Sequence, residues 1–151
     1  MSTDSLRTPT LMAATITLGL VTGVFTLYAH TIMPGLRRTD DRTFVAAFQS
    51  IDRAIINPWF IGATFLGALA LTALAAFTNR GQPAFPWITA ALIAYVAVVG
   101  ITITVHVPLN DAIKAAGNPD RNMNVALVRT AFNETKWAIW NLVRVVTSTS
   151  A

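Results

Sequence analysis

Two histidines and one arginine stand among apolar neighbours, and these three side chains are the first candidates for chemistry. His30 lies four residues before Pro34, His106 two before Pro108, and Arg144 eight beyond Lys136. An imidazole can exchange a proton near neutral pH or ligate a metal, and a guanidinium can hold an anionic oxygen. On a helix entering the membrane at Lys136, Arg144 would sit about 12 Å deep, where insertion costs about 2.5 to 3.5 kcal/mol. Glu134 lies on the same helix about 15 Å from Arg144, too far for a direct pair. The partner must therefore be another helix, a snorkelled interface or an anionic ligand, and the expected one is a ligand or a transient oxyanion.

Helical spacing groups these residues with others. At 100° per residue, Thr26, Gly23 and Gly19 share the face of His30, Thr102 and Tyr95 share that of His106, and Thr64 shares that of Asn57. Glu134, Trp137, Asn141 and Arg144 follow at intervals of three, four and three, another stripe on one helix face. Polar stripes in a membrane bundle face inward or line a wet cavity, so all four are expected to converge on a pocket open to the cytoplasmic interface. Plainer readings stand beside this one. Asn57 before Pro58 suffices as a helix cap, Asn110 after Pro108-Leu109 can cap or turn the chain, and Trp137 and Trp140 suit an aromatic belt.

The elements that must position these residues are membrane helices. The chain has 151 residues, 54% hydrophobic and only 12% charged, where a soluble domain carries about a quarter charged. The expected fold is all-α, an up-down transmembrane four-helix bundle in a single membrane domain over 1–151. The spans fall at about 10–33, 58–78, 85–107 and 136–151, the last short and carrying Arg144. The first is expected to be retained rather than cleaved, since no A-x-A-like site closes it. Between spans one and two, Phe44, Phe48, Ile51 and Ile55 recur at helical spacing, which predicts an amphipathic interfacial helix over about 40–56, with Thr39 as its cap. A further helix is expected to restart near Asp120 and run into span four. Absent cysteines remove disulfides and thiolate chemistry. The net charge of +4 is spread over short connections rather than one stripe, so nucleic acid is not an expected partner. Arg7 and Arg80 oppose Arg37, Arg38, Arg42, Arg53, Lys114, Arg121, Arg129 and Lys136. The positive-inside rule then puts the amino terminus outside and the long connections in the cytoplasm, in a plasma (inner) membrane.

His30 with Pro34 following, the run Gln49 to Phe60, Val107-Pro108-Leu109-Asn110, and Trp137-x-x-Trp140-Asn141-x-x-Arg144 together resemble one family. The chain is similar to small four-span membrane proteins that include fungal anthrone oxygenases, most bacterial members of which have no assigned activity. The resemblance implies oxidation of an electron-rich phenolic anthrone by O₂ without an organic cofactor. Members usually carry Asn where this chain has His106, and their last span continues further.

Three functions compete. In the first, a membrane oxygenase or oxidase takes an apolar phenolic or anthrone-like substrate from the bilayer. His30 is its base, and Asn110, Asn141 and Arg144 hold the developing oxyanion. Asn57, Thr26, Thr102, Tyr95, Trp137 and Glu134 are the expected substrate contacts. In the second, His30 and His106, with Glu134 as a third ligand, hold a metal or haem. In the third there is no chemistry, and the chain is a small membrane subunit or a lipid- or small-molecule-binding protein whose stripes join helices. The bilayer and an apolar small molecule are the expected partners, with a homo-oligomer or partner membrane subunit left open.

Overall fold

The computed structural model describes residues 3–121 and 124–151, and the described residues are helical and contain no strand. Three helices are long and apolar enough to cross a membrane: α1 (Ser5–Leu36), α3 (Pro58–Thr78) and α4 (Phe85–Ala115). Between them lies α2 (Asp41–Ile55), and the chain ends in α5 (Val125–Phe132) and α6 (Glu134–Thr149). At 16 residues α6 is about 24 Å long, short of the roughly 30 Å of hydrocarbon. Three of the four expected spans are thus helices long and apolar enough to cross, and α6 falls short of that length.

Two spans run further than their prolines suggested. The sequence put boundaries at Pro34 and Pro108, yet α1 continues to Leu36 and α4 to Ala115. In both, a π-helical turn directly precedes the proline, Tyr28–Ile32 in α1 and Thr102–His106 in α4. Proline removes one amide donor and crowds the preceding turn, and a local change of hydrogen-bond register there lets the helix continue. A third π-helical stretch, Pro58–Leu66, opens α3. All three lie at one end of the molecule.

Helix α1 turns Ala14, Leu18, Val21, Phe25 and Tyr28 inward at intervals of four and three. It packs against α3 and α6, and α4 packs against the same two helices. At the far end, the Thr10 and Thr78 hydroxyls meet at 3.2 Å and Arg7 Nε donates to the Thr78 carbonyl, so α1 and α3 run antiparallel. The turn from α3 to α4 needs Gly81 at φ 77, a left-handed conformation costly for other residues. Outward, Ile16, Leu20, Leu74, Phe77, Ile93, Val96, Leu142 and Val146 are exposed, the surface a chain presents to acyl tails. Trp59 and Trp87, at the starts of α3 and α4, stand out from opposite ends as interfacial aromatics do.

Helix α2 has the amphipathic pattern expected, but its apolar face is used within the protein. Phe44 and Phe48 pack on Phe132, and Phe48 also meets Trp137 edge-on. The cap is Asp40, whose carboxylate accepts from the Thr43 N–H at 3.0 Å. The Thr39 hydroxyl instead donates to the Leu36 carbonyl and closes α1. The expected continuous helix from Asp120 is also interrupted. Asn133 adopts a left-handed φ of 54°, ends α5 and caps α6 by accepting from the Lys136 N–H.

Candidate functional site

A cavity of about 140 Å³ opens where the π-helical turns of α1, α3 and α4 meet α2 and α6. That volume is close to the roughly 150 Å³ of an engineered apolar cavity that takes up benzene. Each π turn supplies lining residues: Tyr28 from the first, Phe60, Ile61 and Phe65 from the second, Thr102 and His106 from the third. The wall is mainly apolar, and the exposed lining residues Ile56, Val107 and Asp111 mark its mouth.

Arg144 lies in this wall at 5% exposure, and no carboxylate pairs with it among the described residues. Its guanidinium donates to the Asn141 side-chain oxygen at 2.7 Å and to the Thr102 hydroxyl at 3.2 Å, and it stacks 4.2 Å from the centre of Phe25. Asn141 is itself anchored, its amide donating to the Phe25 carbonyl at 3.0 Å. This scaffold fixes the cation but leaves its charge uncompensated, and its Nε has no partner among the described residues. A buried cation held this way is strongly favoured to take an anionic oxygen.

His106 is 2% exposed and lines the same cavity, and neither ring nitrogen has a hydrogen-bond partner among the described residues. The ring stands edge-on to Trp137 at 5.0 Å. In its neutral form an imidazole with free nitrogens has one lone pair to accept a proton. Trp137 is the common neighbour of the polar groups. Arg144 lies 5.8 Å from its ring and Tyr28 5.5 Å, so His106, Arg144 and Tyr28 gather round one indole.

The indole is pinned by a chain of hydrogen bonds. Trp137 Nε1 donates to Asn110 Oδ1 at 2.9 Å, and Asn110 Nδ2 donates to Asp52 Oδ1 at 2.6 Å. An indole can only donate and a carboxylate only accept, so a carboxamide is the neutral group that joins them. Asp52, 5% exposed, pairs with Lys114 Nζ at 2.8 Å, which also reaches Asp111 at 3.0 Å on the rim.

Of the residues singled out in the sequence, His106, Thr102, Asn110, Trp137 and Arg144 line this cavity, and Asn141 supports it from behind. The others do not meet there. His30 is exposed, with its Nδ1 2.6 Å from the Thr31 hydroxyl, because Phe25 and Tyr28 take the inner face of α1 and leave His30 outside. Thr26, Gly23 and Gly19 turn away from the core with it, none of them buried. Asn57 caps α3, accepting from the Phe60 N–H at 2.9 Å, so the plainer reading holds. Tyr95 is buried elsewhere and donates to the Phe65 carbonyl at 2.9 Å. Glu134 is engaged by Arg129 at 2.5 Å and Arg37 at 3.6 Å. With His30 outside and Glu134 in ion pairs, the proposed metal ligands His30, His106 and Glu134 do not converge, and the described residues form no metal-ligating cluster. Asn110 and Asn141, expected to donate to an oxyanion, instead direct their amides at protein atoms and position Trp137 and Arg144.

Asp52, Lys114 and Tyr28 were not foreseen. Asp52 had a legible signal, since it follows Phe44 and Phe48 by eight and four residues and so lies on the apolar face of α2. Below the cavity, Arg129 ties α5 to the rest. It bonds Glu134, Asp41 and the Thr39 carbonyl and covers Phe44, and the Glu134 hydrogen bond raises its pKa above the usual arginine value.

A family model described as anthrone oxygenase matches residues 57–151, which include α3, α4, α6 and the cavity residues His106, Asn110, Trp137 and Arg144. Comparison with curated proteins and with solved structures gives no match. The matched segment exceeds half of the chain and carries the V-P-L-N and W-x-x-W-N-x-x-R elements, and on that basis the chain belongs to the anthrone oxygenase family.

Proposed function

We propose that the protein is a membrane oxygenase that oxidises an apolar, acidic phenolic or anthrone-like substrate with O₂. The observation that carries this reading is the uncompensated Arg144 guanidinium and the unpartnered His106 imidazole on the wall of one mainly apolar cavity. His106, in place of the His30 expected from the sequence, is the base. It removes a proton from the methylene carbon opposite the substrate's ketone, and the resulting charge delocalises onto the ketone oxygen. Arg144 holds that oxygen, and low-dielectric surroundings strengthen the contact. The carbanion gives an electron to O₂, and the resulting pair combines to form a carbon–oxygen bond and a peroxide at the deprotonated carbon, whose outer oxygen takes the proton back from His106. Loss of the second proton from that carbon then breaks the O–O bond, the C–H electron pair forming the carbonyl, and the departing hydroxide takes up that proton and leaves as water. One anthrone and one O₂ give one anthraquinone and one water, with the electrons supplied by the substrate.

A purely structural role for the polar stripes predicts that they pack without a hollow and that Arg144 meets a carboxylate or solvent. Among the described residues the stripes of α4 and α6 flank a cavity and no carboxylate pairs with Arg144, which supports the oxygenase reading. In this reading α6 enters as a partial fourth span, the amino terminus lies outside, and the mouth of the cavity faces the cytoplasmic interface. The test is oxygen uptake by purified protein in detergent with a hydroxylated anthrone. Equimolar O₂ consumption and quinone formation are expected, with a loss of about 10²- to 10⁴-fold in His106→Gln, the usual contribution of a positioned base. Equal rates in wild type and His106→Gln would overturn it.

A further inference from the structure

Both tyrosine side chains are largely buried, and among the described residues only one donates to a protein atom. Tyr95 donates to the Phe65 carbonyl at 2.9 Å. The Tyr28 hydroxyl makes no hydrogen bond among the described residues and is not one of the enclosed polar atoms, so its oxygen keeps accessible surface where a ligand can meet it. Tyr28 lines the cavity with Arg144 and His106, and its ring rests against Trp137 at 5.5 Å. Asp52 and Arg144 line the same cavity. It also opens the π-helical turn of α1, three residues from Phe25, on which Arg144 stacks.

We propose that Tyr28 is a second donor to the anionic oxygen of the substrate, which it shares with Arg144. This rests on the oxygenase reading and adds a residue to it. A guanidinium supplies charge but is held to one side by Asn141 and Thr102. A phenol from the facing helix supplies a neutral donor, and the two enclose one oxygen atom as an oxyanion hole does. The substrate class narrows accordingly to molecules whose acidity places negative charge on an oxygen that can accept two hydrogen bonds at once. A carbon acid whose charge stays on carbon would gain nothing from Tyr28.

The test is an anaerobic titration of wild type, Tyr28→Phe and Tyr95→Phe with unsubstituted anthrone, read as the visible absorbance of its anion, with binding of anthraquinone as a neutral control. Tyr28→Phe removes one oxygen and keeps the ring that packs on Trp137. The apparent equilibrium constant for ionising the bound anthrone is expected to fall roughly 10- to 150-fold, about the worth of one hydrogen bond to a charged acceptor. Turnover should fall comparably with KM nearly unchanged, while anthraquinone affinity and melting temperature stay at wild-type values. Tyr95→Phe should match wild type in ionisation. If wild type and Tyr28→Phe ionise the bound anthrone equally, the role of Tyr28 is overturned and the oxygenase reading stands. A parallel loss of anion binding, quinone binding and melting temperature assigns Tyr28 a packing role and also overturns it. Absence of any anion in wild type overturns both.

Discussion

Replacing Arg144 with methionine separates function from stability. The substitution removes a hydrogen bond to Thr102 at 3.2 Å, one to Asn141 at 2.7 Å and the stacking on Phe25 at 4.2 Å. Stacking of this kind contributes about 0.5 to 2 kcal/mol. Asn141 stays anchored through the Phe25 carbonyl, but its oxygen loses a donor, at about 1 to 3 kcal/mol. Against these losses stands relief from burying a cation that no carboxylate among the described residues neutralises, a penalty of several kcal/mol. The terms nearly cancel, so Arg144→Met should fold within about 2 kcal/mol of wild type. Ligand binding should behave differently, because a hydrogen bond to a charged group contributes about 1.5 to 3 kcal/mol, or roughly 10- to 150-fold in affinity. Thermal unfolding in detergent, with and without an anionic phenol, reads both quantities. The ligand should raise the melting temperature of wild type and leave that of Arg144→Met nearly unmoved. A variant that loses more than about 4 kcal/mol yet binds the phenol as wild type does would refute the reasoning and make Arg144 structural.

Other substitutions probe the neighbouring contacts. His30→Ala should keep wild-type turnover in the oxygen-uptake assay, since the side chain is exposed and bonded only to Thr31. Asn110→Leu should cost about 2 to 5 kcal/mol and shift Trp fluorescence, because it orphans both Asp52 Oδ1 and Trp137 Nε1; urea titration followed by fluorescence would detect it. The Asp40 carboxylate is held below the usual carboxylate range by the Thr43 hydroxyl and N–H. Its folded pKa is therefore lower than its unfolded one, so the cap contributes fully above the unfolded value and is lost as pH falls through the folded value. Asp40→Asn should flatten that acid-side dependence in a melting-temperature series.

The three long helices were legible because uncharged runs of twenty or more residues have few alternatives, and α2 because Phe44, Phe48, Ile51 and Ile55 repeat with helical period. Arg144 was legible as a charge that needed a purpose. Which histidine faces the cavity was not legible. Near-uniform apolarity around α1 leaves inward and outward faces alike in composition, and only the packing of Val21, Phe25 and Tyr28 against the other helices sets the rotation that leaves His30 outside. The π turns before Pro34 and Pro108 shift the register once more, and spacing arguments built on 100° per residue do not carry through them. Asn110 and Asn141 were recognised as site residues but misassigned in role, because the direction of a carboxamide depends on partners such as Asp52, which lies on a different helix.

The most direct test is an experimental structure of the protein bound to anthraquinone, the air-stable product of the proposed reaction. The ring system should enter the cavity against Trp137 and extend through its mouth beside Ile56 and Val107, with one carbonyl oxygen on the Arg144 guanidinium and the opposite carbonyl carbon facing His106. A ring bound instead in the outer groove between α1 and α6, beside Met33 and Leu142, would contradict the assignment of His106 and Arg144 to the reacting centre.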